Sequence, residues 1–348
     1  MSSNEVPTMR RSVLIFGLVV LPILATGVEQ DRTGEFKEEE VTFDNGNVRL
    51  RGTLVLPTGK QRSPAVIVLG GSNWETRKDV RFVVDNFAPR GLAVLIFDQR
   101  SYGQSTGERF GSFSDLAQDA LAAVKLLRAR DDIDPQHIGL LGMSRGGWIA
   151  PLAASLSGDV GFLILFVAPA VSPAKQEQMR VENEMRADGF ALAEIEQASE
   201  FIRLKFAWGR TGRNWLAYSD AVQRSRNTSW FEYVGGPIVK ESAAWRFIQL
   251  NGDYDPAAAL ARIRCPVLAI FGALDRNVLP EVNVPIMERA FRAAGNRDYL
   301  IKVIPNANHA LLLSTSGGRK EVHHTEQFAP EVSDTVNEWL NKKRIVAD

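Results

Sequence analysis

Ile138-Gly139-Leu140-Leu141-Gly142-Met143-Ser144-Arg145-Gly146-Gly147 is the stretch whose reading decides the fold. It contains G-x-S-x-G as Gly142-Met143-Ser144-Arg145-Gly146. Five such residues arise by chance, so the pattern is weak alone and its context has to carry it. Ile138 to Leu141 is a short apolar run of strand character, and Gly146 to Ala154 reads as a helix apolar enough to be buried. A strand, a tight turn with serine at its tip and a buried helix form a nucleophile elbow. The serine backbone in such a turn is strained, and Cβ atoms at Gly142 and Gly146 would collide with the neighbouring strand and helix. The helix N-terminus also aims free N–H groups at the serine oxygen, where negative charge develops in acyl transfer. The bland alternative is a glycine-rich turn with a capping serine.

Outward from this stretch the chain alternates. On the N-terminal side, Glu40–Asp44 and Val48–Leu56 flank Asn45-Gly46, a strong hairpin signal. Ala65–Leu69 is a wholly apolar strand followed by Gly70-Gly71-Ser72, and Val80–Arg90 reads as a helix closed by Gly91. Ala93–Phe97 is the next strand, and Phe113–Arg130 an amphipathic helix with Leu116, Ala120, Ala123, Val124 and Leu127 on one stripe. On the C-terminal side come strands at Gly161–Phe166, Pro266–Phe271 and Tyr299–Ile304, and helices at Val282–Ala294 and Ala329–Lys342. Almost wholly apolar strands alternating with helices indicate a mostly parallel, doubly wound sheet covered on both faces. The rhythm breaks from Val171 to about Arg262. No buried strand is evident there, Ser172-Pro173 starts a helix well, and Leu192, Ile195, Ser199 and Ile202 fit a second helix. This stretch is rich in aromatics and reads as an inserted helical cap. The expected division is 36–170 and 263–345 for the sheet domain, with 171–262 as the cap.

Length and composition narrow the function classes. The chain has 348 residues, 45% of them hydrophobic, enough for a sizeable core. Lys plus Arg and Asp plus Glu each number 41 and no long basic run occurs, which disfavours nucleic acid as a partner. The single Cys265 opens an apolar strand and reads as a structural thiol. No metal-ligand cluster and no cofactor motif stands out, so neither is expected. Residues 1–27 read as a signal peptide, with Arg10-Arg11, an apolar run from Val13 to Ala25, and Ala25-Thr26-Gly27 before Val28. The run is short for a membrane span, which needs about 20 residues. Export to a bacterial periplasm or the medium is expected, and an uncleaved N-terminal anchor is the competing reading.

A serine hydroxyl needs a base within reach and a group to orient that base. Doubly wound sheets carry such groups in loops after strand C-termini. Asp275 follows the strand ending at Phe271, and His309 follows the one ending at Ile304. The order Ser144, Asp275, His309 suits this fold. Asp253 and Asp255 precede their strand, as does His137, while His323-His324 lies in a polar loop and is the best rival to His309. Two backbone donors would complete the site, the N–H of Arg145 and that of Ser72, with Gly71 next in line. Asp98 and Arg100 are expected to hold the 98–105 loop as a buried ion pair.

These residues together resemble the α/β-hydrolase superfamily, and within it the serine aminopeptidase-like branch of exported esterases and acyl hydrolases. The resemblance rests on the elbow followed by Gly146-Gly147, on Asp98-Gln99-Arg100-Ser101-Tyr102-Gly103-Gln104-Ser105, which is similar to D-x-R-G-x-G-x-S, on Gly272-Ala273-Leu274-Asp275 and on Asn306-Ala307-Asn308-His309. It covers roughly residues 36 to 345, and the cap is matched least securely. Gly70-Gly71 stands where the family has His-Gly, and Ser101 replaces a family glycine. The resemblance implies an α/β-hydrolase fold with an N-terminal antiparallel hairpin and a cap. It implies ester cleavage through an acyl-enzyme on a small-molecule substrate. The alternatives are an exopeptidase, with Glu194, Glu196, Glu200 or Glu232 taking a free amine, an acyl-CoA thioesterase and a non-catalytic binding module. The cap aromatics suggest an apolar acyl or alcohol group, or else form only the cap's own core.

Overall fold

The structure, a computed structural model, describes residues 36–108, 111–321 and 328–346. The segment read as a signal peptide and the His323-His324 pair lie outside the described residues. Strands β1 (Phe36–Asn45), β2 (Val48–Pro57), β3 (Ser63–Leu69), β4 (Ala93–Phe97), β5 (Ile133–Met143), β6 (Phe162–Phe166), β7 (Val267–Gly272) and β8 (Tyr299–Ile304) form one eight-stranded sheet. Its spatial order is β1-β2-β4-β3-β5-β6-β7-β8. The β1–β2 and β2–β4 pairs are antiparallel, and every pair from β4 through β3 to β8 is parallel. The hairpin turn is Gly46-Asn47 rather than Asn45-Gly46. Asn45 pairs with Val48, and that register places Val41 and Phe43 on the buried face.

The apolar strands bury residues on both faces, as a parallel sheet requires. Ala65, Ile67, Leu140, Leu163, Leu165, Ala269 and Phe271 point to one side. There they meet α2 (Phe113–Arg128), α3 (Gly146–Leu156) and α9 (Pro280–Ala293). Val66, Val68, Leu141, Ile164, Phe166, Leu268 and Ile270 point to the other. There they meet α1 (Arg81–Phe87) and α10 (Pro330–Lys342), which presents Val332, Val336, Trp339 and Leu340. Ser112 caps α2 through a reciprocal exchange with Asp115, whose N–H donates to Ser112 Oγ at 3.1 Å.

Between β6 and β7 the described chain makes α4 (Pro173–Ala187), α5 (Leu192–Thr211), α6 (Trp215–Ser225), α7 (Ala243–Asn251) and α8 (Ala257–Leu260). Ser172 Oγ caps α4, and Pro173 occupies its first position. The aromatics of this region pack on one another. Trp208 stacks on Tyr218 at 4.9 Å and meets Trp245 edge-on at 4.3 Å, and Phe201, Trp230 and Tyr233 are fully or almost fully buried with them. They form the core of the inserted helices, as the plainer of the two readings of those aromatics has it.

The strand-to-helix turn at Ser144 is held by two close approaches. A Cβ on Gly142 would meet the Gly146 carbonyl oxygen at 2.4 Å, and one on Gly146 would meet the Leu69 carbonyl oxygen at 2.0 Å. Neither oxygen can yield, because both belong to the backbone of packed elements. We expect Gly142→Ala to cost about 1–3 kcal/mol of overpacking, seen as a Tm lowered by a few degrees. An unchanged Tm would show that β5 and α3 have more slack than these distances allow.

Candidate active site

Ser144 stands at the tip of the turn with φ 50°, a conformation that costs a non-glycine residue roughly 1–2 kcal/mol. The turn is fastened on both sides. Ser144 N–H donates to the Phe166 carbonyl at 2.9 Å and Gly147 N–H to the Ser144 carbonyl at 2.8 Å. β6 therefore grips the turn whose serine α3 follows. The Trp148 N–H donates likewise to the Arg145 carbonyl at 3.1 Å, so the first turn of α3 is closed directly onto the serine turn.

The histidine arrives from the loop after β8. His309 Nε2 lies 3.1 Å from Ser144 Oγ, and Nδ1 lies 2.9 Å from Asp275 Oδ2. The carboxylate accepts, so the Nδ1 hydrogen belongs on the Asp275 side, which leaves Nε2 as the acceptor facing the hydroxyl. Asp275 is buried, and its other oxygen accepts the N–H groups of Asn277 and Val278, both at 2.8 Å. Those bonds fix which oxygen faces the imidazole. The His309 turn is equally constrained. Buried Asn308 Oδ1 accepts from Ala310 N at 2.9 Å and Leu312 N at 3.1 Å, and Ser314 N closes the loop onto the Asn306 carbonyl at 2.7 Å.

The loop after β3 borders the serine. A Cβ on Gly71 would stand 3.5 Å from Ser144 Cβ, an ordinary van der Waals contact, so the loop lies directly against the serine. Half-buried Ser72 follows in the turn closed by Trp74 N–H onto the Gly71 carbonyl. One residue that sequence reasoning missed holds this loop. Gln99 donates through Nε2 to the Trp74 carbonyl at 2.9 Å, and its Oε1 accepts from Arg145 Nη2 at 2.9 Å. It ties the glycine loop to the residue after the serine. Arg145 Nε is buried without a partner, and burial lowers the guanidinium's pKa.

Asp98 and Arg100 do not pair with each other, contrary to expectation. Arg100 donates to both oxygens of Asp119 on α2, each at 2.7 Å, while Asp98 accepts from the N–H groups of Arg77 at 3.0 Å and Gln104 at 2.9 Å. Ser101 keeps the turn that the missing glycine would make, at φ 69°.

Helix α4 is the cap element that touches the loops of Asp275 and His309. Gln176 Nε2 donates to the carbonyl and side-chain oxygens of Asn277. Arg180 is buried between two carboxylates, with 2.8 Å bonds from Nε and Nη2 to Glu177 and a 2.6 Å bond from Nη1 to Glu184. Its remaining donation, at 2.7 Å, goes to the Tyr233 carbonyl. Arg319, after the His309 loop, approaches Glu184 at 4.0 Å and lies over the Tyr233 ring at 4.7 Å. Burial pushes the Glu184 carboxyl up to about 7 against the pull of Arg180 and Arg319, and His309 is also among the charges it feels. No signal in the helical periodicity of 173–187 distinguishes these buried charges from a solvated face.

The other sequence candidates lie elsewhere. Asp253 is exposed and paired with Arg210, and His137 is bonded to Asp134 before β5. Burial pushes the Cys265 thiol up to about 12, which leaves it without nucleophilic character at neutral pH. Among the described residues no group of three His, Cys, Asp or Glu side chains is placed to hold a metal ion.

An open parallel sheet with an antiparallel edge hairpin, a strained serine between strand and helix, and a histidine between serine and carboxylate define the α/β-hydrolase architecture. A profile described as the Alpha/beta hydrolase family matches residues 66–319, and the chain belongs to that family. Among curated proteins it is 25% identical over 317 residues to Esterase EstD of Thermotoga maritima, covering 88% of this chain and 68% of that one. It is 34% identical over 143 residues to Thiohydrolase aneE of Aspergillus aculeatus, a match covering 40% of this chain and 43% of that relative's length. Among solved structures, the Pyrococcus furiosus esterase Pf2001 superposes with a TM-score of 0.56 at 20% identity, covering 88% of this chain and 91% of the other. Est1E of Butyrivibrio proteoclasticus, solved with ferulic acid bound, gives 0.55 at 17% identity, covering 88% and 100%.

A carboxyl raised from 4.5 to about 7 in the folded protein keeps a proton that the unfolded chain has released. Its contribution to stability therefore falls as pH rises through that window. Replacing Glu184 by Gln removes the slope, so the Tm of Glu184→Gln minus that of the wild type should rise between these two pH values. A flat or falling difference would overturn the assignment.

Proposed function

We propose that this protein is a serine hydrolase that cleaves carboxylic esters through an acyl-enzyme. The observation that carries this reading is the placement of His309, within hydrogen-bond reach of Ser144 Oγ on one side and Asp275 on the other. In the proposed mechanism Ser144 Oγ attacks the ester carbonyl while His309 Nε2 takes its proton. Asp275 holds the imidazole in the required tautomer and stabilises the imidazolium that forms. The N–H groups of Arg145 and of Ser72, or of Gly71 beside it, receive the oxyanion. His309 then returns its proton to the leaving alcohol, water enters, and the same base activates it to release the acid. The esterase name of the relative matched over most of this chain supports an ester substrate, whereas the thiohydrolase match, at higher identity, covers only 40% of the chain.

The exopeptidase alternative asks for a free carboxylate that could take a substrate amine. Glu194 is instead bonded to the Ala191 N–H at the start of its own helix, Glu200 to Arg203, and Glu196 and Glu232 are exposed. Nothing about these four favours amine recognition. The N-terminal pattern of Arg10-Arg11, the apolar run and Ala25-Thr26-Gly27 supports export. A mature chain starting at Met1 or Met9 by mass spectrometry would remove cleavage from this reading.

The test is kcat/KM on a matched pair, a short-chain nitrophenyl ester and an aminoacyl nitroanilide. We expect the ester to be turned over at least about 10³-fold faster, and Ser144→Ala to lose about 10⁴-fold or more on it with its fold intact. Comparable cleavage of the anilide would move the protein to the peptidases. Retention of most activity in Ser144→Ala would overturn the mechanism.

A further inference from the structure

The loop that follows His309 contains a carboxylate surrounded by donors. Glu321 Oε1 accepts from Thr315 N at 2.6 Å and Thr315 Oγ1 at 3.0 Å. Glu321 Oε2 accepts from Ser314 Oγ at 2.7 Å, Ser316 N at 2.8 Å, Ser316 Oγ at 2.7 Å and Gly317 N at 2.8 Å. Three successive backbone N–H groups and three hydroxyls thus converge on one side chain. This is an anion-binding nest filled from within the chain. Burial alone would raise the carboxyl, but these bonds from Thr315, Ser314 and Ser316 hold it well below the usual carboxylate range. It stays ionised throughout the pH range in which a histidine base works.

The nest sits between the two loops that meet at the imidazole. On one side Ser314, which bonds Glu321 through its hydroxyl, closes the His309 turn through its N–H to the Asn306 carbonyl at 2.7 Å. On the other, Arg276, the residue after Asp275, donates through Nε to the Ser316 carbonyl at 2.9 Å. Gly317 takes φ 73° and packs so tightly on Leu274, the residue before Asp275, that a Cβ would stand 1.9 Å from the Leu274 oxygen. Every residue from Ser314 to Gly317 therefore touches Glu321, and through them Glu321 is linked to the Asp275 loop by two contacts and to the His309 turn by one.

We propose that Glu321 is a positioning residue. Its carboxylate organises the 314–317 nest as a spacer that sets His309 and Asp275 at hydrogen-bonding distance from each other and from Ser144. The proposal rests on the Ser144–His309 reading of the site. Glu321 touches none of the three, so its effect is on geometry alone. A displacement of about 1 Å at reacting groups is enough for a loss of about 10²-fold.

The test uses the full chain with two substitutions that cut the spacer at different points, Glu321→Gln, which places an N–H₂ among donors, and Arg276→Gln, which releases Ser316. Each is assayed on the nitrophenyl ester with active sites counted by acyl-enzyme burst, alongside Ser144→Ala. We expect kcat per titrated site to fall about tenfold or more in both, with KM within about threefold of the wild type. Adding formate to Glu321→Ala, where it can occupy the emptied nest, should recover several-fold of the lost kcat, whereas formamide should not. A role confined to stability would lower Tm and the titratable fraction and leave kcat per site within twofold of the wild type, and that result overturns the proposal. If Glu321→Gln does not accumulate folded, Ser314→Ala joins Arg276→Gln and the same criterion decides. Activity retained in Ser144→Ala would instead strike the underlying reading, and so the two failures are told apart.

Discussion

Everything in the site follows from how closely β5 and α3 approach each other. Gly142 and Gly146 let the Gly146 carbonyl and the Leu69 carbonyl come where a side chain would otherwise stand. That contact leaves the intervening residue no room to relax out of φ 50°. Strain of this size persists only when its surroundings over-determine it. Here β3 presses from one side, β6 holds the Ser144 N–H, and α3 begins immediately after. The serine is therefore presented at one fixed place on the C-terminal edge of the sheet. The strands beyond, β6, β7 and β8, run parallel to β5 in adjacent positions, so their following loops open onto the same edge. Asp275 and His309 reach one another because they leave β7 and β8, which are neighbours.

A second constraint comes from charge. The inserted helices bury their aromatics in a core of their own and turn a polar surface of α4 toward the loops of Asp275 and His309. Arg180 is fully enclosed, and an enclosed guanidinium needs partners for its donors, which Glu177, Glu184 and the Tyr233 carbonyl provide. Such a group adds little net stability against an apolar replacement, since desolvation offsets most of the attraction. It does dictate how the helices sit, because each donor accepts only one geometry. Gln176 on Asn277 and Arg319 beside Glu184 extend that dictation to the loops on either side of the imidazole.

Much of this was legible along the chain. Wholly apolar strands alternating with helices are buried on both faces, which is a local property of composition and spacing, and it places the sheet, its hairpin edge and the insertion within a few residues. Ser144 could be found because its glycines mark a close approach, and Asp275 because it follows the buried β7; His309 follows β8, which an apolar run marks as a strand but which the structure makes the half-exposed edge of the sheet. The failures share a cause. Asp98 and Arg100 are two residues apart and of opposite charge, yet partners from α2 and the 75–77 segment were better placed. The Asn45-Gly46 signal was off by one because the turn uses Gly46 at φ 59° as its first central residue, the place a II′ turn gives to glycine.

By itself, then, the sequence determined the periodicities, the strained turn and the order of the chemistry-bearing residues, all of which depend on neighbours within a few positions. Tertiary structure alone decided which charges are enclosed, that Gln99 joins the glycine loop to Arg145, and that Glu321 gathers six donors between the loops of Asp275 and His309. Those outcomes depend on the desolvation and geometry of groups brought together from distant parts of the chain, as the separation of 165 positions between Ser144 and His309 illustrates. A linear pattern carries no record of which of its many carboxylates and guanidinia will lose their water.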